Sequence, residues 1–282
     1  MPMTIETISC LGSHGFHHLA YTEWAGPPGA RTVLCVHGLT RNGRDFDALA
    51  ATLSRRFRVV CPDVAGRGKS DWLSHPEDYG YPLYLSDMAA LIARLGVAEI
   101  DWVGTSMGGL IGMMMAAQPG TPIRRLIVND IGPLIAVEGL QRIATYVGAD
   151  PVFADLGELE AYLRAVSASF GTLSDAQWRH MAEHGARRRP DGTLGRAYDP
   201  AIAEAFKAVK GDIDLWPVWD AIRCPTLVLR GAESDLLRAV DAAAMTRRGP
   251  KARIVELPGI GHAPSLMTDE QIAIVEDFLA AG

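Results

Sequence analysis

The sequence predicts an α/β protein built on a doubly wound parallel sheet. Continuous apolar runs of strand length alternate with helical patterns along much of the chain, as expected for strands covered on both faces. A strand–helix–strand series implies right-handed crossovers. The 282 residues are 48% hydrophobic and 21% charged. This is an ordinary globular composition, and it excludes disorder for the chain as a whole.

Each element of the predicted sheet layer rests on a local pattern. The predicted strands are short, apolar and β-branched, and the segments between them carry apolar residues at helical spacing. In chain order the strands are 32–36, 58–61, 100–103, 126–128, 226–229 and 253–257, and the helices lie near 44–54, 84–95, 107–117, 238–247 and 268–280.

The alternation stops between Ile131 and about Pro217. Four helical patterns follow one another there without a convincing central strand, at 137–147, 156–169, 174–185 and 199–210. We therefore predict a core domain of residues 1–132 and 217–282 and an all-helical cap of residues 133–216. Because ligands of open α/β sheets bind at the carboxyl ends of the strands, we expect the cap to be a lid over a pocket rather than a packing appendage.

Net charge and cysteine spacing limit the kinds of binding partner and the cellular compartment that we expect for the protein. A formal charge of −6 argues against a nucleic-acid binder, and the basic run at 187–189 is predicted to lie in a solvated turn. No stretch approaches the roughly 20 apolar residues of a membrane helix, and residues 1–10 do not resemble a signal peptide. Cys35, Cys61 and Cys224 lack metal spacing, which favours free thiols in the cytoplasm.

A candidate nucleophile lies in the segment Gly104-Thr105-Ser106-Met107-Gly108. A G-x-S-x-G pattern between a strand and a helix is typical of a nucleophile elbow, a sharp turn that exposes the serine hydroxyl. The glycines leave room in a turn too tight for Cβ atoms. The strand before and the helix after the pattern favour a catalytic serine over a spectator serine in a glycine-rich turn.

A serine hydroxyl is a weak nucleophile until a base removes its proton. The candidate base is His262, in a glycine-bracketed loop after the last predicted strand, from which an imidazole can reach back over the sheet. The other seven histidines fit this role less well.

The acid that orients the imidazole is predicted to be Asp235, which follows the strand at 226–229. It gives the chain order Ser106, Asp235, His262. Two alternatives remain open. Glu233 lies in the same loop, and Asp130 ends the strand after the nucleophile helix, so that the order Ser106, Asp130, His262 is also geometrically feasible.

Acyl transfer also needs N–H donors aimed at the developing oxyanion. One predicted donor is the backbone N–H of Met107, which follows the nucleophile. The other is the N–H of Leu39, in the loop after the first parallel strand, where Gly38 permits a close backbone approach. His37 is expected to be a hydrogen-bonded loop residue rather than an acid or a base.

The segment Gly68-Lys69-Ser70 resembles the end of a phosphate loop. The glycine that such a loop requires five residues earlier is Asp63, which argues against a nucleotide site. We expect a glycine-rich turn pinned by an interaction between Asp63 and Arg67. No dinucleotide fingerprint and no metal-ligand spacing were found, so neither a cofactor nor a metal is expected.

Together these motifs resemble the α/β-hydrolase fold superfamily over essentially the whole chain. The resemblance implies an eight-stranded, mostly parallel sheet, a helical cap between strands 6 and 7, and no cofactor. The motifs that carry it are His37-Gly38, the turn from Asp63 to Ser70, the elbow at 104–109, Asp235, and Gly261-His262-Ala263-Pro264.

Two departures from the family pattern affect the expected function. Ser234 occupies the usual place of the acid, with Asp235 one residue later, which keeps Asp130 as an alternative. The loop at 39–42 lacks the extra glycines of tertiary-alcohol esterases and of C–C hydrolases, which favours a plain carboxylic ester hydrolase. Ser106 excludes relatives with an aspartate nucleophile.

The leading hypothesis is therefore hydrolysis of a small carboxylic ester through an acyl-enzyme on Ser106. One alternative is a C–C bond or enol-lactone hydrolase of aromatic degradation with the same triad. An alternative of another class is a ligand-binding homologue without catalysis. The expected partner is a small ester-like molecule, with no nucleic acid and no membrane, and a homodimer is left open.

Overall fold

The computed structural model describes residues 3–207 and 210–281. Its strands are β1 (Met3–Gly12), β2 (Gly15–Trp24), β3 (Thr32–Val36), β4 (Arg58–Pro62), β5 (Ile100–Thr105), β6 (Ile123–Asn129), β7 (Leu134–Ile135), β8 (Ala186–Arg188), β9 (Leu194–Arg196), β10 (Ile213–Asp214), β11 (Thr226–Gly231) and β12 (Arg253–Leu257).

The helices of the described residues connect these strands. They are α1 (Asp47–Leu53), α2 (Tyr81–Leu95), α3 (Met107–Ala116), α4 (Val137–Val147), α5 (Leu156–Val166), α6 (Asp175–Gly185), α7 (Glu204–Lys207), α8 (Trp216–Ala221), α9 (Ala239–Met245) and α10 (Asp269–Ala280). None of the helices in the described ranges combines the length and apolar character that a membrane crossing requires.

Eight strands form one sheet in the order β1-β2-β4-β3-β5-β6-β11-β12. The first two strands form an antiparallel hairpin that joins antiparallel to β4, and every other pair is parallel. The predicted eight-stranded, mostly parallel sheet is therefore confirmed. The six strands predicted from apolar runs correspond to β3, β4, β5, β6, β11 and β12.

Strand β3 shows why the sheet is covered on both faces. All five of its residues are buried, and successive side chains point to opposite faces. Leu34 and Val36 pack into the hydrophobic cluster that includes residues of α2 and α3. Val33 and Cys35 pack into a second cluster with residues of α1 and α10. The continuous apolar run thus supplies two core layers at once, which makes the fold doubly wound.

The segment between β6 and β11, residues 130–225, is called the insertion below. Its predicted helices at 137–147, 156–169 and 174–185 appear as α4, α5 and α6, the second ending earlier, at Val166. The pattern at 199–210 forms a 3-10 turn at Pro200–Ala203 followed by α7. Residues 208 and 209 of that prediction lie outside the described residues.

The expectation of an all-helical cap was wrong. The insertion also contains two small antiparallel sheets, β7 with β10 and β8 with β9. The second is a hairpin whose turn includes Gly192 at a φ of +87°, and the Asp191 side chain accepts hydrogen bonds from the backbone N–H and hydroxyl of Thr193. Strands of two or three residues are too short to produce an alternating apolar pattern, which is why they escaped the sequence analysis.

We expect Leu34→Ala to lower the free energy of unfolding by roughly 2–5 kcal/mol, because it leaves a cavity in a central strand. Leu11→Ala is the matched control, since the Leu11 side chain is 63% exposed, and it should change stability by less than about 0.5 kcal/mol. Urea unfolding of both variants measures the difference. Equal losses would contradict the assignment of Leu34 to the core.

Candidate active site

Ser106 lies at the turn between β5 and α3. Its φ of 51° and ψ of −111° are in a region that non-glycine residues rarely adopt. The neighbouring glycines make the turn possible: a Cβ on Gly104 would lie 2.2 Å from the Gly108 carbonyl oxygen, and a Cβ on Gly108 would lie 2.0 Å from that of Val36. The predicted strand–turn–helix geometry is confirmed.

His262 and Asp130 form a row of hydrogen bonds with Ser106. The Nε2 atom of His262 lies 2.9 Å from the Ser106 hydroxyl oxygen, and its Nδ1 atom lies 2.8 Å from the Asp130 carboxylate. This geometry allows the Ser106 hydroxyl to donate to Nε2 while Nδ1–H donates to Asp130. The imidazole therefore bridges a hydroxyl and a carboxylate in the order that nucleophilic catalysis requires.

The Asp130 carboxylate is completely buried, and both of its oxygens accept hydrogen bonds. One oxygen accepts the backbone N–H of Gly231 at 2.8 Å. The other accepts the Ser234 hydroxyl at 2.5 Å as well as the His262 imidazole. Three donors around one buried carboxylate offset the cost of removing it from water.

The prediction that Asp235 is the acid beside His262 was wrong, because the carboxylate next to the imidazole belongs to Asp130. The Asp235 side chain is 53% exposed and forms an ion pair with Arg142 at 2.7 Å, and Glu233 in the same loop is also exposed. Ser234, which holds the family's usual acid position, turns inward and donates to Asp130 instead. The loop therefore directs a hydroxyl to the site and leaves the next side chain in solvent.

His37 is a hydrogen-bonded loop residue, as expected. The backbone N–H of Val64 donates to its Nε2 atom at 2.9 Å, so that nitrogen carries no proton and Nδ1–H donates to the Gly38 carbonyl at 2.7 Å. Complete burial lowers the pKa of His37 to about 4, against the raising effect of the Gly38 carbonyl. The imidazole is therefore neutral near pH 7 and has no free nitrogen for proton transfer.

The predicted oxyanion donors lie beside Ser106. A Cβ placed on Gly38 would lie 3.8 Å from the Cβ of Ser106, so the chain before Leu39 runs close to the nucleophile. In the described part of the chain the Leu39 N–H has no intramolecular acceptor. Met107 is the first residue of α3, where the N–H has no preceding helical turn to bond to.

The glycine-rich turn after β4 is held differently from the prediction. Asp63 does not pair with Arg67. Its carboxylate accepts the backbone N–H groups of Gly43 and Lys69 at 2.7 and 2.8 Å, and burial raises its pKa to about 6. The fully buried Arg67 instead donates to the Leu39 carbonyl at 2.9 Å. This bond fixes the turn that carries the Leu39 N–H.

Two cavities open on Ser106, and Leu39 and Ile143 also line both. The first, called the polar cavity, has a volume of about 160 Å³, and its lining includes His37, Thr40, Arg41, Asp45, Arg142, Ser167, Ser169, Arg196 and His262. The second, called the apolar chamber, has a volume of about 440 Å³, and its lining includes Tyr81, Tyr84, Met107, Leu110, Met114, Ile135, Leu140 and Phe206.

Three arginines of the described residues line the polar cavity, and none of them was predicted as a site residue from the sequence. Arg41 donates two hydrogen bonds to Asp45, and Arg142 is paired with Asp235. Arg196 is 6% exposed, and no carboxylate of the described residues lies within ion-pair distance of it. No local motif marks these positions, because the arginines meet only where the insertion, which carries Arg142 and Arg196, folds over the loop that carries Arg41.

Among the residues that the structure describes, three groups of side chains have donor atoms close enough together to hold a metal ion: Cys10, His17 and Asp87; His14, His75 and Glu77; and Asp47, His180 and His184. None of these nine residues lines the polar cavity or the apolar chamber. In the first group His17 lies 3.0 Å from Asp87, and burial raises the pKa of the Cys10 thiol to about 12, which suits a buried hydrogen-bonded network.

Comparisons with known proteins show which family the chain resembles in sequence and in structure. The model of the alpha/beta hydrolase family matches residues 33–275. The 3-hydroxybutyrate-oligomer hydrolase of Cupriavidus necator is 45% identical over 96% of both chains. The 2-(acetamidomethylene)succinate hydrolase of Mesorhizobium japonicum is 30% identical over 88% of both. The crystal structure of an alpha/beta hydrolase from Novosphingobium aromaticivorans superposes with a TM-score of 0.88, at 37% identity over 98% of both chains.

We expect His37 to make the fold sensitive to acid. Its folded pKa, about 4, lies below the unfolded value of about 6.5, so the unfolded chain takes up a proton first as the pH falls. The stability from the neutral imidazole is therefore lost between pH 6.5 and 4, by roughly 3 kcal/mol.

His37→Gln keeps a donor and an acceptor but does not titrate. Urea unfolding at several pH values between 7 and 4 should therefore show a smaller loss of stability in the variant than in the wild type. The same pH dependence in both proteins would contradict the neutral, buried state of His37.

Proposed function

Since the chain belongs to the alpha/beta hydrolase family and is a hydrolase, we propose that it cleaves a carboxylic ester through an acyl-enzyme on Ser106. The observation that carries the proposal is the row of hydrogen bonds from Ser106 through His262 to Asp130. In this proposal Ser106 is the nucleophile, His262 is the base, and Asp130 is the carboxylate that holds the base in the required tautomer.

In the proposed reaction, His262 Nε2 takes the hydroxyl proton as Ser106 Oγ attacks the ester carbonyl carbon. The N–H groups of Leu39 and Met107 are proposed to stabilise the resulting oxyanion, each by roughly 3–4 kcal/mol. His262 then returns the proton to the leaving alkoxide, and the alcohol departs. A water molecule that His262 deprotonates then attacks the acyl carbonyl carbon. The bond from that carbon to Ser106 Oγ breaks, Oγ regains a proton from His262, and the acyl group leaves as a carboxylic acid.

We assign the role of the acid to Asp130 in place of Asp235. Two further donors, from Gly231 and Ser234, hold the buried Asp130 carboxylate in place beside the imidazole, where it can stabilise the positive charge that forms on His262. Asp235 shares its charge with Arg142 at the surface, where water screens it.

The substrate class we propose is a short oligomeric ester of a hydroxy acid. The support is the relative at 45% identity, which acts on 3-hydroxybutyrate oligomers, together with a polar cavity lined by Arg196, which pairs with no carboxylate of the described residues. A second candidate is an N-acyl compound that carries carboxylates. It is favoured by the relatives named as hydrolases of 2-(acetamidomethylene)succinate and of N-formylmaleamate and by the same cation.

A panel of substrates separates these candidates and the remaining C–C alternative. It contains the 3-hydroxybutyrate dimer and trimer, p-nitrophenyl esters of increasing acyl length, an N-formyl amide of an unsaturated dicarboxylate, and a vinylogous diketone. We expect the highest kcat/KM on the 3-hydroxybutyrate dimer or trimer. A preference for the amide or the diketone by more than tenfold would replace the proposed ester.

Ser106→Ala should reduce kcat on the preferred ester by roughly 10⁵-fold or more and abolish labelling by a fluorophosphonate. Ser9→Ala, on an exposed position of β1, is the matched control and should retain both properties. Thermal unfolding confirms that each variant is folded. Turnover retained by folded Ser106→Ala would exclude the covalent mechanism.

Asp130→Asn should lower kcat by roughly 10³- to 10⁴-fold, because an amide at this position favours the wrong imidazole tautomer. Asp235→Asn makes the same chemical change at the surface and should alter kcat by less than about threefold. Steady-state kinetics on one ester compares the two. A large loss in Asp235→Asn with none in Asp130→Asn would restore the original assignment.

A further inference from the structure

Arg196, at the end of β9, is a buried cation without an ionic partner. Its side chain lines the polar cavity and is 6% exposed. Arg41 and Arg142 in the same lining each have a carboxylate partner, and within residues 3–207 and 210–281 none is placed to pair with Arg196. The polar cavity therefore carries a net positive charge that this residue supplies.

The guanidinium of Arg196 is held in place without being neutralised. Its Nη1 atom donates to the Tyr198 hydroxyl at 3.1 Å, and its carbon lies 4.5 Å from the Tyr198 ring centre and 5.6 Å from that of Tyr162. These aromatic contacts leave most of its five N–H donors unused. Burial of an uncompensated charge is unfavourable, so the guanidinium favours an anionic group in the polar cavity that it lines.

The position of His262 shows which part of an ester enters the polar cavity. His262 lines the polar cavity but not the apolar chamber, whereas Met107 lines the chamber but not the cavity. In the proposed mechanism the leaving oxygen takes its proton from His262 Nε2. The leaving alcohol must therefore lie on the His262 side of Ser106, in the polar cavity, and the acyl part lies on the other side.

The apolar chamber suits an uncharged acyl part. Side chains such as Leu110 and Phe206 line it, and Arg67 is its only charged residue among the described lining residues. The Arg67 guanidinium already donates to two backbone carbonyls and to the hydroxyl of Tyr84. Among the described lining residues, no cation is left free to bind an anionic acyl chain.

We propose that Arg196 binds a carboxylate on the leaving alcohol, so that the protein selects esters whose alcohol component is a hydroxy acid with a free carboxylate. This inference rests on the proposed function. Water supplies the oxygen of the released acyl acid, the ester bond to the alcohol oxygen breaks, and that oxygen gains a proton to give the free hydroxy acid. The hydroxy acid leaves from the side of Arg196.

The test compares two substrates that differ only at the far end of the alcohol. They are the 3-hydroxybutyrate dimer with a free carboxylate and the same dimer as its terminal primary amide, with product release measured by chromatography. The wild type should prefer the free acid. Arg196→Met should lower kcat/KM on the free acid by roughly 10- to 100-fold, mainly through KM, and leave the amide nearly unchanged.

Arg164→Met is the matched control. Arg164 is an ion-paired residue of α5 outside both cavities, and its replacement should preserve the preference for the free acid. Equal effects of Arg196→Met on acid and amide would overturn the proposal. So would a selective loss in Arg142→Met that Arg196→Met does not show.

A measurement on the wild type covers the case in which Arg196→Met does not fold. Free 3-hydroxybutyrate should inhibit hydrolysis of p-nitrophenyl butyrate competitively, and 3-hydroxybutyramide should inhibit at least tenfold more weakly. Equal inhibition by the two would refute the carboxylate site. Turnover of p-nitrophenyl butyrate that depends on Ser106 shows that the esterase function is intact in that event, so the two proposals fail separately.

Discussion

The buried carboxylate of Asp130 joins the parts of the candidate site that lie far apart in the sequence. Asp130 follows β6, and its oxygens contact Gly231 at the end of β11, Ser234 in the loop beyond it, and His262 in the loop after β12. The Asp130 carboxylate is thus one acceptor shared by the loops after β11 and β12. The position of the imidazole, and hence its distance from Ser106, depends on that shared acceptor.

The parallel sheet is the reason these groups can meet. Parallel strands place their carboxyl ends at one edge, so residues after β5, β6, β11 and β12 converge there although the chain separates them widely. Further contacts fix the His262 loop from both sides: Asn129 donates to the Pro264 carbonyl at 2.8 Å, and the Ser169 hydroxyl of the insertion donates to the His262 carbonyl at 2.9 Å. The imidazole is thus supported by the sheet and by the insertion.

Sequence patterns predicted the parts of the molecule that local physics determines. Six of the eight strands in the main sheet follow from apolar runs, whereas β1 and β2 do not. The sharp turn at Ser106 follows from glycines whose replacement would bring a Cβ against backbone atoms. The choice between Asp130 and Asp235 depended instead on whether Ser234 or Asp235, in the loop after β11, faces the interior. In the structure Ser234 faces inward and donates to Asp130, while Asp235 pairs with Arg142 at the surface, and no spacing in the chain reveals this. The same holds for Arg196, because short strands in the insertion place it.

The residues proposed to carry out the chemistry and the residue proposed to select the substrate come from different parts of the fold. Ser106, Asp130 and His262 all lie at the edge of the main sheet, whereas Arg196 comes from the β8–β9 hairpin of the insertion. Tyr198 follows two residues after the end of β9, and its hydroxyl and ring both contact the Arg196 guanidinium. A change in this hairpin would alter which leaving group fits while the hydrogen bonds at Ser106 stay unchanged. Relatives with the same fold can therefore act on different compounds without any change in the residues that would carry out the hydrolysis.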